Sequence, residues 1–404
     1  MRGHLVLALF GCALLCGCGG GGGGGNSSPS SASTPAPITT NVLPISVNPG
    51  PAGTVNLPFA SVTVCTPGST TACQTIDGVL IDTGSSGLRI VASVLSTVVL
   101  PQQTNANGSS IAECALFADG FSWGSVRTAD VKIAGEQAGS LPVHLIGDPA
   151  FPTIPASCSG TGRSRNTVKS LGANGILGVG SFIQDCGSQC VQNSSLGIYY
   201  ACPTAIPCQS TTQPLAGQVT NPVARFSSDN NGMIVQLPAV PQNGAATADG
   251  SLIFGLGTQA NNGLGSATVF AIDPNTGWFT TLYRGSTMPR SFIDSGSNAL
   301  FFFDSSITAC SSASTPGFYC PSSTQALSAT VQGTNGANAV INFSVANASS
   351  LLAGGFAAFN NLGSPVSSSK SFDWGLPFFF GRNVFVAIEG ASVPGAPAGP
   401  FIAF

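Results

Sequence analysis

Charge is nearly absent from this chain. Only 7% of its 404 residues are Asp, Glu, Lys or Arg, against roughly 25% in an average soluble domain. The 12 basic residues are spread thinly and the formal net charge is −3. Phosphate binding needs clustered positive charge, so this pattern excludes nucleic acid as a partner. Histidine is almost missing as well, with only His4 and His144. A serine–histidine–aspartate site would have to use His144, which lies in an apolar-flanked stretch with no accompanying nucleophile motif. Beyond the first residues no apolar run is long enough for a transmembrane helix, and long helical periodicity is absent. Yet 43% of the chain is apolar, which excludes a charged disordered polymer with nothing to bury. Its polar surface must come mostly from Ser, Thr, Asn and Gly, as suits an extracellular protein of strands and turns.

The N-terminus, MRGHLVLALFGCALLCGCGGGGGGG, has one arginine, an apolar run from Leu5 to Leu15 and then small residues. The run is too short to span a bilayer and reads as a signal segment. Its end resembles a bacterial lipobox, with Leu15 and Gly17 ahead of Cys18 as the lipidated residue. Gly19 to Gly25 and a Ser/Pro/Thr stretch to about Thr40 form a flexible tether. The expectation is a lipid-anchored protein of the bacterial cell envelope, held to a bilayer from its N-terminus. Gly19 after the lipidated cysteine favours the outer membrane by bacterial sorting habit. Residues 1–17 are then the signal peptide and 18–40 the anchor and tether.

Thirteen cysteines are present. Cys12 and Cys16 leave with the signal and Cys18 carries lipid, so an even set remains: Cys65, Cys73, Cys114, Cys158, Cys186, Cys190, Cys202, Cys208, Cys310 and Cys320. In an exported chain that set favours up to five disulfides. Cys65–Cys73 and Cys310–Cys320 are attractive local pairs, each closing a turn-rich loop. The short Cys186–Cys190 spacing could also be read as zinc ligation, but no histidine lies nearby, and no metal is expected.

Short apolar and alternating runs bounded by turn residues fill the rest: VNLPFASVTV, GVLIDTG, ADVKIAG, SLPVHLIG, GMIVQLP, SLIFGLG and NVFVAIEG. They predict strands. Short helices are expected only after glycine turns, around Gly180–Gln184 and Arg382–Phe385. One arrangement occurs twice. VLIDTGSSGLRI and SFIDSGSNALFF each run apolar residues into an aspartate, Asp82 and Asp294, followed by Ser/Thr–Gly–Ser. A segment of two bulky apolar residues and a glycine follows in each half: Ile176-Leu177-Gly178 and Phe379-Phe380-Gly381. A tight loop can carry the aspartate past a strand whose glycine permits close approach. Two such half-sites face to face bring two carboxylates together, and like charges then favour one shared proton.

These motifs resemble those of the pepsin-like aspartic proteases. IDTGSSGLRI is similar to the N-terminal catalytic motif and FIDSGSNALF to the C-terminal one. The resemblance implies an all-β, bilobal fold of two β-barrel-like lobes with a cleft between them, covering 41–235 and 236–404. It implies Asp82 and Asp294 as catalytic residues, supported by Thr83, Gly84, Ser85, Ser295, Gly296 and Ser297. NGILGVG resembles the segment completing the first lobe, and FFGRN the second. FADGFSWGSVRTADVKIAG resembles the flap hairpin, with Phe117 where the family has tyrosine and Asp119 and Gly120 at the turn. Arg89 stands where the family commonly has tryptophan, so a hydroxyl and its indole partner are absent together. The layout resembles a divergent bacterial surface-lipoprotein branch.

The expected function is aspartic-type endopeptidase action on extended peptide or protein substrates by a monomer, without cofactor or metal. Phe117, Phe121, Trp123 and Arg89 are assigned to the flap and substrate cleft. The alternatives are a catalytically inactive surface module of the same fold that binds peptide or glycan, and a β-rich adhesive lipoprotein in which both aspartates sit in mere turns.

Overall fold

The order of apolar runs dictates a fold made almost wholly of strands, and the computed structural model shows it. It describes residues 41–404 apart from 205, 206, 313, 314 and 316. The signal, tether and Cys18 therefore lie outside the described residues. Thr39–Phe404 forms one unit that is all-β and bilobal. Every run singled out above contributes to a strand, from Pro58–Cys65 to Arg382–Ala387. Among the described residues no helix is long and apolar enough to cross a membrane.

The first lobe is a closed six-stranded barrel. Pro58–Cys65 pairs with Cys73–Asp82, which runs parallel to Gly175–Val179; that strand pairs with Ser86–Val91, then Glu136–Ile146, then Gly120–Ile133, which returns to Pro58–Cys65. Its interior is β-branched and aliphatic, with Val62, Val64, Ile81, Leu88, Val131 and Leu177 all buried. Aliphatic side chains alternating along each strand fill a small barrel without polar atoms to satisfy.

The second lobe is a curled half-barrel of seven strands. Its core is aromatic. Phe372 stacks on Phe302 at 4.8 Å and on Trp374 at 4.2 Å, while Phe343 meets Phe372 edge-on. Offset and edge-to-face rings of this kind add to their area burial. The strand Val42–Val47 pairs with both Ala248–Phe254 and Pro58–Cys65, so one continuous sheet runs from the barrel into strands shared with the second half.

Both expected helices are absent. Gly180–Gln184 is irregular, because Gly180 donates its N–H to Ser85 O at 2.8 Å and presses against the Asp82 loop. Arg382–Ala387 is a strand antiparallel to Gly232–Leu237. Its Val384-Phe385-Val386 core favours a pleated, buried surface over a helical turn.

All five disulfides form: Cys65–Cys73, Cys114–Cys158, Cys186–Cys190, Cys202–Cys208 and Cys310–Cys320. None of these cysteines is left to ligate zinc.

Candidate active site

Asp82 ends the strand Cys73–Asp82, and Asp294 ends Ser286–Asp294. The same two hydrogen bonds form after each. The amide two residues on donates to the first carboxylate oxygen, Gly84 N to Asp82 Oδ1 at 2.8 Å and Gly296 N to Asp294 Oδ1 at 2.7 Å. The hydroxyl three residues on donates to the second, Ser85 Oγ to Asp82 Oδ2 at 2.5 Å and Ser297 Oγ to Asp294 Oδ2 at 2.8 Å. Two fixed donors hold each carboxyl in one orientation.

The two loops also clasp one another. Thr83 N donates to Ser295 Oγ at 3.1 Å, Ser295 N donates to Thr83 Oγ1 at 2.9 Å, and Ser295 Oγ donates to Ile81 O at 2.8 Å. The clasp brings the carboxyls together. A Cβ on Gly296 would lie 2.8 Å from Asp82 Oδ1 and 3.1 Å from Asp294 Oδ1, so both acids converge on one point. A Cβ on Gly84 would lie 2.6 Å from Asp294 Cγ, closer than packed atoms approach. Gly84→Ala is therefore expected to keep the fold while displacing the Asp294 carboxyl on the order of an ångström, a misplacement that costs a reacting pair about 10²-fold. A crystal structure of Gly84→Ala with the Asp294 carboxyl unmoved would show that the loops do not approach this closely.

Burial, then the neighbouring carboxylates of Asp82 and Asp373, push Asp294 well above the usual carboxylate range, with the Ser297 hydroxyl opposing them. Like-charged acids in one low-dielectric pocket cannot both ionise freely.

The acids open into a cleft of about 510 Å³. Leu57, Leu80 and Ile176 line the first lobe's wall and Phe292 and Phe301 the second's. The hairpin of Ser110–Phe117 and Gly120–Ile133 leans over it, turning at Ala118 and Asp119. Phe117 reaches the cleft and packs on the Leu57, Phe59 and Leu80 cluster. Asp119 lines the rim and is ion-paired with Arg165. Gly120 begins the returning strand, tight against Arg163 O.

Three assignments made from sequence are corrected. Phe121 and Trp123 do not line the cleft. They are buried with Cys114, Cys158 and Tyr200 in a satellite core, where the Trp123 indole N–H donates to Phe151 O at 3.0 Å. Their side chains alternate to the face of the hairpin strand that packs under the Cys114–Cys158 bridge. Arg89 is not a cleft residue and does not contact Asp82. It is buried, donating to Glu113 Oε1 at 2.7 Å, Asp185 Oδ2 at 3.0 Å and Ser86 O at 2.7 Å. His144 Nδ1 lies 3.2 Å from Glu113 Oε2, and Tyr199 donates its hydroxyl proton to Asp185 at 2.6 Å. A polar core of five side chains replaces the expected aromatic partner.

The third correction concerns the second half-site. Asp82 pairs in parallel with Gly178, as the repeat implies. Asp294 pairs in parallel with Gly375, not Gly381. The strand Phe372–Gly375 occupies the position, and a Cβ on Gly375 would meet Ala299 O at 2.0 Å, so only glycine passes there. Phe379-Phe380-Gly381 lies further along and abuts Leu237. The true segment brings in a residue that sequence reading missed, Asp373, on the cleft wall.

The model of the family described as "Protein of unknown function (DUF3443)" matches residues 37–404. A comparison with curated proteins gives no match. Among solved structures, the crystal structure of an aspartic proteinase from Irpex lacteus is similar at 14% identity and a TM-score of 0.49, over 90% of this chain and 96% of that one.

Proposed function

Since this chain belongs to the family described as a protein of unknown function (DUF3443), its chemistry has to be read from its own residues, and we propose that it is an aspartic-type endopeptidase. Asp82 and Asp294 would hold one water between them against the carbonyl carbon of an extended peptide. Asp82 takes a proton from the water as its oxygen adds, and Asp294 gives its proton to the carbonyl oxygen. The tetrahedral diol then collapses. Asp294 recovers a proton from the diol hydroxyl, Asp82 passes its proton to the departing nitrogen, and the C–N bond breaks. The chain remains free of covalent intermediates throughout.

The observation supporting this reading is the convergence of both carboxyls at Gly296, each oriented by an amide and a serine. The raised value of Asp294 supports an acid-favoured reaction. Asp294 keeps its proton at acid pH and loses it as pH rises, so activity is acid-favoured and falls on the alkaline side as the general acid disappears. The test is cleavage of an unfolded protein substrate by the folded, disulfide-bonded full chain, from about pH 3 to about pH 7. Cleavage that rises toward acid is expected. No cleavage at any pH would sink the reading.

One observation favours a second reading, a cleft that binds peptide without turnover. Phe117, which ends the strand before the hairpin's turn and reaches the cleft, has no hydroxyl to donate to substrate or water. Tight peptide binding with intact peptide recovered would identify that case.

A further inference from the structure

The two half-sites share a register, and it singles out one position. On the first lobe Leu80 pairs with Ile176 two residues before Asp82 pairs with Gly178. On the second, Phe292 pairs with Asp373 two residues before Asp294 pairs with Gly375. Ile176 and Asp373 are therefore equivalent, and both line the cleft. One wall offers a hydrocarbon where the other offers a carboxyl.

Asp373 has no structural reason to be there. It is 8% exposed, and its Oδ1 is buried without a hydrogen-bond partner. Among the described residues no lysine or arginine pairs with it. The Ser297 hydroxyl beside it is already donated to Asp294. An unsatisfied buried carboxyl is destabilising unless a donor arrives.

The charges around it indicate which donor. Asp82 and Asp294 face the same space from the two catalytic loops. At the rim Arg165 is engaged with Asp119 on the flap, and Lys169 is solvent-exposed. Burial first, and then the Asp82 carboxylate, hold Asp373 well above the usual carboxylate range while the cleft is empty, with Ser297 pulling the other way. Asp82, Asp294 and Asp373 stand together with no base among them, while Lys169 stays at the solvent-facing rim, so the inner cleft favours a cation.

We propose that Asp373 is a specificity-determining residue that receives the lysine or arginine side chain of a peptide residue flanking the scissile bond on the second lobe's side of the cleft. The inference rests on the reading of this cleft as a peptide site. When the cation enters, Asp373 releases its proton to solvent and its Oδ1 gains a charge-assisted hydrogen bond. The first lobe's wall of Leu57, Leu80 and Ile176 takes an apolar side chain on the other flank.

The probes are peptides in which a hydroxyethylene group replaces the scissile amide, with lysine or norleucine at either flanking residue. Dissociation constants are measured on the full chain near pH 5, for wild type, Asp373→Asn and Asp373→Ile. Lysine on one flank should bind wild type roughly tenfold more tightly than norleucine, the scale of a hydrogen bond to a charged group. Asp373→Asn should remove that preference and Asp373→Ile should reverse it. A lysine preference absent from wild type, or unchanged in both variants, overturns the proposal, as does failure of any of the peptides to bind. Binding and turnover separate the two claims. A protein that prefers lysine yet never cuts the parent amide peptide fails as a protease only. One that cuts without the preference fails in this inference only.

Discussion

Arg89→Met is expected to lower the stability of the fold by about 3–5 kcal/mol at neutral pH, the cost of stranding a buried charge by removing its partner. The guanidinium binds Glu113, which is fully buried, and Asp185, whose side chain is nearly so. Burial acts to raise Glu113, but Arg89 overrides it and holds the carboxyl below its ordinary value. Asp185 goes the other way, raised by burial and then by the adjacent Glu113, so the pair behaves as one negative charge facing one positive charge. His144, pushed down to about 4 by burial, stays neutral beside them at neutral pH. The sign with pH follows. In wild type Glu113 contributes stability above its unfolded value, which is lost as pH falls through its depressed folded value. Without Arg89, burial is the largest influence left on Glu113 and acts to raise it against His144 and Asp185, so the variant regains stability as falling pH supplies the missing proton. Urea denaturation midpoints at about pH 7 and about pH 4.5 measure this. A deficit below about 1 kcal/mol, or one that does not shrink toward acid, would show that the cluster is not an ion-paired core.

If the proposed endopeptidase reading holds, Asp294→Asn and Asp82→Asn should each reduce peptide hydrolysis by about 10³-fold or more, because each removes one of two groups proposed to transfer protons as a unit. Both are isosteric, and the clasp through Thr83 and Ser295 does not involve the exchanged atoms. Stability distinguishes catalysis from damage. Asp294 has a raised value in the folded state, so its contribution is full at acid pH and lost as pH rises through that value. Asp294→Asn should therefore match wild type in acid and exceed it in stability near neutrality, while remaining inactive. An inactive variant that is also less stable at neutral pH would mean that Asp294 is a structural acid.

The two aspartate loops were legible because their chemistry is local. Carboxyl, amide and serine lie within four residues, and the apolar run before each names its strand. Gly178 was legible for the same reason, sitting among Ile176, Leu177 and Val179. Its counterpart was not. FDWGLPFFFG contains two candidate glycines, and the more apolar run, at Phe379-Phe380-Gly381, drew the assignment away from Asp373-Trp374-Gly375. The signal that mattered was the odd one: an acid where the first half carries isoleucine. The Arg89 cluster had no linear signature, since Glu113, His144, Asp185 and Tyr199 come from separate strands and loops. Phe121 and Trp123 were misplaced because alternation tells which residues share a face, and only the Cys114–Cys158 bridge shows which face is inside. The helices expected after each glycine were lost to tertiary contacts that local preference does not encode.

The disulfides have a consequence for biogenesis. Along the described chain every cysteine is bonded to the next one in sequence, without a single crossed or nested pair. A chain threaded N-terminus first into an oxidising compartment meets its correct partner each time simply by taking the next thiol to emerge. For a chain exported in that way, sequential oxidation would give the native connectivity without reshuffling, and each bond would still need an oxidant.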